Sequence, residues 1–173
     1  LQQRFEGNFI MAGVKFWPEM SRLDKDFLEL ASHFQQVVPI FTNVIFDTSQ
    51  PHANVIFEDM FAWLDDLLVI ARRHPETLFV IRAHPDEARK GKASEESVAE
   101  WAEARNIASL PNIKFIPPEE YISSYDLIRM AKFVTTYNST IGLEAAIMGA
   151  MVLSAGRSRF SQAETVLLPG SRE

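Results

Sequence analysis

Four groups of side chains in this sequence have the types and spacing to do chemistry. The densest is Asn138, Ser139 and Thr140 followed by Glu144, inside FVTTYNSTIGLEAAIMGAMVLSAG at residues 133–156. A second is the pair His84 and Pro85, directly after the apolar run TLFVIRA. A third is Thr42 and Asn43, within VVPIFTNVIF, and the fourth is Arg157 with Arg159 in the segment GRSRF. Hydroxyls at the start of a helix, beside backbone N–H groups that have no intrahelical acceptor, suit a phosphate. A carboxylate one turn further in can accept from two neighbouring sugar hydroxyls. A histidine can donate to a phosphate oxygen in either charge state, and two arginines can neutralise a diphosphate. Phosphate donors next to a ribose acceptor make a nucleotide the first ligand to consider. Taken singly, each group also has an ordinary reading: Ser and Thr cap helices everywhere, and a Glu near a helix start is favoured by the dipole alone.

These groups gain meaning only if the chain carries them to one place. Residues 133–156 read as strand, hydroxyl-rich turn, short helix ending at Gly149, and second strand, a βαβ unit whose turn lies at the carboxyl end of a strand. Residues 37–46 form a β-branched apolar run of the kind buried on both faces of a sheet, and Pro39 delays the expected start of pairing to Ile40. A polar loop over residues 47–54 follows, in which Asp47 and His52 are candidates for loop polarity or ligand contact. Residues 58–73 are the clearest helix, with Phe61, Leu64, Leu67, Leu68 and Ala71 as its inward stripe and acids before cations along it. Residues 77–83 are another doubly buried strand that delivers His84 to its end. Ser94 is expected to cap a helix running to Arg105, residues 113–116 form a short strand, and Ser123 or Ser124 caps the next helix. Glu119 and Glu120 read as a solvated loop. Near the start, aromatics are mixed with Gly and Pro without a period, and then Ser21 is expected to cap a packing helix bearing Leu23, Phe27, Leu30, Ala31 and Phe34. The alternation of five strands with helices predicts an α/β fold, an open parallel sheet with helices on both faces and right-handed crossovers.

The whole chain sets bounds. Its 173 residues suffice for one domain with a substantial core, and 47% hydrophobic with 23% charged residues is ordinary for a globular protein. The formal net charge of −6 argues against a nucleic-acid backbone as partner, though it leaves room for one local nucleotide pocket. Without cysteine there are no disulfides or thiolate metal sites. Asp65 and Asp66 are adjacent and belong to a packing helix, so they are not read as a metal pair. No apolar run reaches the roughly 18–20 residues of a membrane span, and the amino terminus lacks a signal pattern. A start at Leu1 and a polar end lead to the expectation of a piece of a longer protein, with residues 1–36 as an amino-terminal extension and 37–173 as the domain proper.

The series FTNVIFD, RAHPDE, IKFIPP and YNSTIGLEAAIMGAMVLSAG, in that order, resembles the carboxyl-terminal half of GT-B glycosyltransferases over roughly residues 37–168. The likeness is to capsule polysaccharide biosynthesis proteins and their relatives, including the polyglycerolphosphate transferases. The resemblance implies a Rossmann-like domain holding a nucleotide-sugar donor, with no cofactor and no metal. It implies that His84 and Pro85 line the phosphate side of the cleft, and that Ser139, with its neighbours Asn138 and Thr140, and Glu144 contact phosphate and ribose. Gly142 would let the donor approach the helix, and Thr42 and Asn43 would face the other half of the cleft. It further implies a cytoplasmic enzyme half that meets a membrane only through its partners, an acceptor that is a polysaccharide or lipid-linked, and an absent amino-terminal half. These residues alone would then be inactive, and no catalytic base is assignable. The Gly-rich dinucleotide fingerprint is absent, which argues against nicotinamide or flavin chemistry. The alternatives are a UDP-sugar 2-epimerase-like domain and a non-catalytic α/β partner-binding module.

Overall fold

A computed structural model of the chain describes residues 10–11, 14–15, 20–44, 53–88 and 96–170. Asp47, His52 and Ser94 lie outside the described residues, as do most of the early aromatics. A short antiparallel hairpin, β1 (Ile10–Met11) with β2 (Val14–Lys15), precedes the domain proper. Helix α1 (Lys25–Ser32) follows, then β3 (Gln36–Phe41), α2 (Met60–Arg73), β4 (Thr77–Arg82), α3 (Val98–Ala104) and β5 (Ile113–Ile116). The second half runs α4 (Ser124–Met130), β6 (Val134–Thr136), α5 (Ile141–Ile147), β7 (Val152–Ser154) and β8 (Val166–Leu167). The six strands from β3 onward form one parallel sheet in the order β5-β4-β3-β6-β7-β8. This is the doubly wound, Rossmann-like arrangement, and its order reverses between β3 and β6.

Side-chain alternation on these strands divides the interior into two cores. Val38, Ile40, Phe79 and Ile81 face α2 and α3 and pack with Trp63, Leu64, Leu68 and Trp101. Val37, Phe41, Leu78 and Val80 face the opposite way, toward α1, α4 and α5, and pack with Phe27, Leu127, Ile128 and Ala145. The helices thus cover both faces, as the order of elements predicts. Among the described residues no helix is long and apolar enough to cross a membrane.

Several local expectations change. Pro39 does not delay pairing, because β3 aligns with β4 from Gln36 onward. The carbonyl of Val37 accepts from Lys132 on the β6 side, so odd-numbered β3 residues address β6, and regular pairing there begins only at Ile40. The missing donor of Pro39 therefore points where no ladder bond is required. Ser21 does not cap α1: it forms a parallel bridge to Ile122, and the cap is Asp24, whose carboxylate accepts from the Phe27 N–H at 2.7 Å. Ser97 caps α3 in a capping box with Glu100, which shortens the expected helix to Val98–Ala104. Helix α2 starts at Met60, with Asp59 accepting from the Ala62 N–H. Strand β8, two residues long, was not expected; it pairs with β7 and extends the sheet.

Gly149 ends α5 as anticipated. Its φ of +88° is the left-handed conformation that a C-terminal cap needs. Gly149 donates to Ala146 and Ala150 to Ala145, the paired bonds of a Schellman motif.

Candidate functional site

The reversal between β3 and β6 opens a crevice at the carboxyl ends of the strands, where neighbouring connections leave in opposite directions. It lies on the α4/α5 side of the sheet. The cleft encloses about 710 Å³, part of it open to solvent, and its walls include Thr42, Arg82, His84, Tyr125, Ser139, Thr140 and Glu144. Of the residues singled out from the sequence, Thr42, His84, Pro85, Ser139, Thr140 and Glu144 therefore share one cleft.

The end of β3 supplies Thr42. Its backbone N–H and its Oγ1 both donate to the Arg82 carbonyl at 3.2 Å, which locks the β3 exit to the β4 exit. Asn43, the next residue, serves the frame instead: its Oδ1 accepts from the Asn138 N–H at 3.2 Å, across the reversal point. Neither Asn43 nor Asn138 forms a wall of the cleft. Asn138 is nevertheless buried, with an Oδ1 that has no hydrogen-bond partner among the described residues.

The end of β4 supplies His84, half-buried on the rim. Its Nδ1 accepts from the Asp86 N–H at 3.1 Å within the 3₁₀ turn Pro85–Ala88. An acceptor role for Nδ1 places the imidazole proton on Nε2 and favours the neutral ring. Of the two ways in which this histidine can meet a phosphate, the turn thus favours donation from Nε2 over ion pairing.

The β6–α5 turn supplies the hydroxyls. The Ser139 N–H donates to Thr136 Oγ1, while Thr140, exposed, stands at the N-cap position with helical backbone angles and no side-chain capping bond. Thr140, one of the two expected caps, thus makes no capping bond, because a capping side chain needs extended backbone at its own residue. Glu144 sits one turn into α5 and is buried, and its Oε2 accepts from the Tyr125 hydroxyl at 2.8 Å. That bond uses one of the carboxylate's several acceptor positions and orients the group from the neighbouring helix α4.

The remaining two candidates lie elsewhere. A Cβ on Gly142 would meet the Phe160 ring at 2.9 Å and the Thr136 methyl at 3.0 Å, so this glycine lets α5 pack closely on β6 and is no wall of the cleft. Arg157 is exposed and absent from the cleft walls, its backbone N–H donating to Ala53. Asp65 has structural partners: it accepts from Trp101 Nε1 at 3.0 Å and forms a two-bonded ion pair with Arg105.

Tyr125 and Arg82 are cleft residues that escaped sequence reading. Tyr125 stands next to the cap of α4 and resembles any core aromatic; only its Glu144 partner distinguishes it. Arg82 closes a strand read as doubly buried, and it is indeed only 2% exposed. Burial pulls its pKa down to about 10, against the opposing attraction of Glu120 and Tyr121, so it stays charged at neutral pH. An arginine ending an otherwise apolar strand was the available signal.

No protein-family model matches the chain. Protein FixF of Sinorhizobium fredii is 32% identical over 110 residues, which is 64% of this chain and 24% of that protein. Among solved structures, S. aureus MnaA with UDP superposes with a TM-score of 0.57 at 16% identity over 86% of this chain and 36% of its own. UDP-GlcNAc 2-epimerase from Neisseria meningitidis, bound to UDP-GlcNAc, gives 0.56 at 20% identity over 84% of this chain and 35% of its own. The β-Kdo 2,7-transferase KpsC of Thermosulfurimonas dismutans gives 0.51 at 20% identity over 86% of this chain and 46% of its own. The chain spans about a quarter of the curated relative and less than half of each of these structures. At such identities the likeness establishes a shared fold, one found in both epimerases and glycosyltransferases.

Proposed function

We propose that this chain is the nucleotide-sugar-binding domain of a GT-B-type glycosyltransferase acting in cell-surface polysaccharide synthesis. The observation that carries the reading is the convergence of Thr42, His84, Ser139, Thr140 and Glu144 on one cleft at the point where strand order reverses. Structures of the same fold contain UDP or UDP-GlcNAc, or belong to a Kdo transferase, which supports a nucleotide sugar as the ligand class.

In this reading Glu144, held by Tyr125, accepts from ribose hydroxyls. The Nε2–H of His84 and the polar groups of the Ser139–Thr140 turn donate to the phosphates. Sugar transfer builds negative charge on the departing phosphate, and donors fixed before the reaction stabilise that charge without having to reorganise. The cleft walls also account for water exclusion on one side only; a second domain closing over the donor would supply the other. A 2-epimerase is the second reading, favoured by the TM-score of 0.56 for the Neisseria meningitidis epimerase against 0.51 for the Kdo transferase.

Calorimetric titration of UDP, CDP, CMP and GDP into the chain tests the ligand class. One nucleotide binds, Glu144→Ala weakens it at least tenfold, and His84→Ala weakens it less. Absence of binding by every nucleotide at millimolar concentration would contradict the reading. Incubation of the longer protein with UDP-GlcNAc then separates the two activities, since an epimerase changes the free sugar nucleotide without an acceptor and a transferase does not.

A further inference from the structure

Strand β4 reads TLFVIR, and on the face toward α4 and α5 its side chains are Leu78, Val80 and Arg82. The first two are fully buried, and the pattern calls for a third apolar residue. The arginine that stands there is equally enclosed. Its Nη1 donates to the carbonyls of Ala83 at 2.9 Å and Pro117 at 3.2 Å, which braces the exits of β4 and β5. Its Nε and Nη2 are buried and have no hydrogen-bond partner among the described residues. Among the described residues no carboxylate bonds the guanidinium, and Glu120 acts on it through its charge.

A structural brace accounts for Nη1 and for nothing else. Leaving the donors of a buried cation unmade is unfavourable, and an apolar residue of similar size would fill the same space without that penalty. Nε and Nη2 lie along one edge of the guanidinium, the edge that accepts two oxygens of one group through parallel hydrogen bonds. The residue also forms part of the cleft wall together with His84, Ser139 and Glu144.

We propose that Arg82 binds an oxyanion of the ligand, its Nε–Nη2 edge taking two oxygens of one phosphate or carboxylate group. The inference rests on the cleft being the donor site and adds the residue that meets the donor's negative charge. That charge has two sources in a nucleotide sugar, the diphosphate or the carboxylate of an acidic sugar, and both present the same pair of oxygens. A neutral uracil, cytosine or hexose ring offers no such pair.

The direct readout is the Nε–H resonance of Arg82 in ¹⁵N-labelled protein. It is assigned by its loss in Arg82→Lys or, should that variant not fold, by through-bond correlation to the β4 backbone. The probes are UDP and CDP against uridine and cytidine, and glucuronate against glucose. The resonance moves with the charged member of at least one pair and not with its neutral counterpart. Movement with the diphosphates alone assigns a phosphate subsite, and movement with glucuronate a carboxylate subsite. Arg82→Lys, which keeps the charge but loses the fork, weakens the effective anion about tenfold or more. If a nucleotide shifts the amides of Ser139 and Glu144 while the Arg82 resonance stays in place, Arg82 is a brace only and the donor reading survives. If no probe moves any cleft resonance at millimolar concentration, the donor reading fails and this inference with it.

Discussion

The two faces of the sheet are built from the same strands and come out differently. Toward α2 and α3, Val38, Ile40, Phe79 and Ile81 carry an apolar layer toward the carboxyl ends of their strands, and two tryptophans, Trp63 and Trp101, seal it. Toward α4 and α5, the lower part is just as apolar, but at the top Arg82, Glu144 and Tyr125 are enclosed together around a cleft. One face spends its burial on cohesion; the other accepts buried charge and an oriented carboxylate. Since buried charge weakens a core unless something pairs with it, the second face is where a ligand belongs.

The sharpest way to break this contrast is to damage the sealed face. Leu64 is fully buried there, and Leu64→Ala is expected to lower unfolding free energy by about 2–5 kcal/mol in denaturant titration, leaving nucleotide affinity of the folded protein unchanged. A matching loss of affinity would mean that the faces are not separable. On the other face Tyr125→Phe removes only the hydroxyl that holds Glu144. Its stability loss should stay below about 2 kcal/mol, with the effect appearing as weaker nucleotide binding. Were affinity untouched, Glu144 would need no orienting partner, and its role at the ribose would fall.

A third prediction concerns the seam between the faces. Glu87, on the turn that begins at His84, accepts from the Val98 N–H at the start of α3 at 3.3 Å. Burial raises its pKa from 4.5 to about 7, the Val98 bond opposing and the charge of Glu119 adding to the rise. A carboxyl group with a raised folded-state pKa binds its proton more tightly when folded. Its stabilising contribution is therefore complete below about pH 4.5 and lost as pH rises through about 7. Glu87→Gln keeps an acceptor for Val98 and removes the titration, so the variant should gain about 1–2 kcal/mol at pH 8 and show a flatter stability profile between these values. An unchanged profile in thermal melts across that range would show that Glu87 is well hydrated.

Much of this organisation was readable from residue order. The doubly apolar runs at 37–46 and 77–83, which contain β3 from Val37 and all of β4, the apolar stripe of α2 and Gly149 at the end of α5 each carry one physical requirement that local sequence states fully. What failed to show depended on distant partners. Pro39 looked like an obstacle because the direction of its absent N–H is set by which neighbour β3 lacks at that level. Ser97 and Glu100 together spell a capping box, yet the earlier Ser94 and two glutamates offered an equally plausible start. At the site, His84, Ser139 and Glu144 were legible because strand ends and helix starts announce themselves. Gly142 was placed there by resemblance and Arg157 by its position after the last strand, whereas in the structure one packs against Phe160 and the other is exposed. Arg82 and Tyr125 were hidden for the opposite reason: within an apolar strand and an apolar helix face, only three-dimensional neighbours reveal that a polar atom has work to do.

The most direct test of the central claim is chemical-shift mapping of the isotopically labelled chain during nucleotide titration. Perturbations gathered at Thr42, His84, Tyr125, Ser139, Thr140 and Glu144, with α2 and α3 silent, are the predicted result. Perturbations confined to the α2/α3 layer or to the outward face of α5, with the cleft residues unmoved, would contradict it.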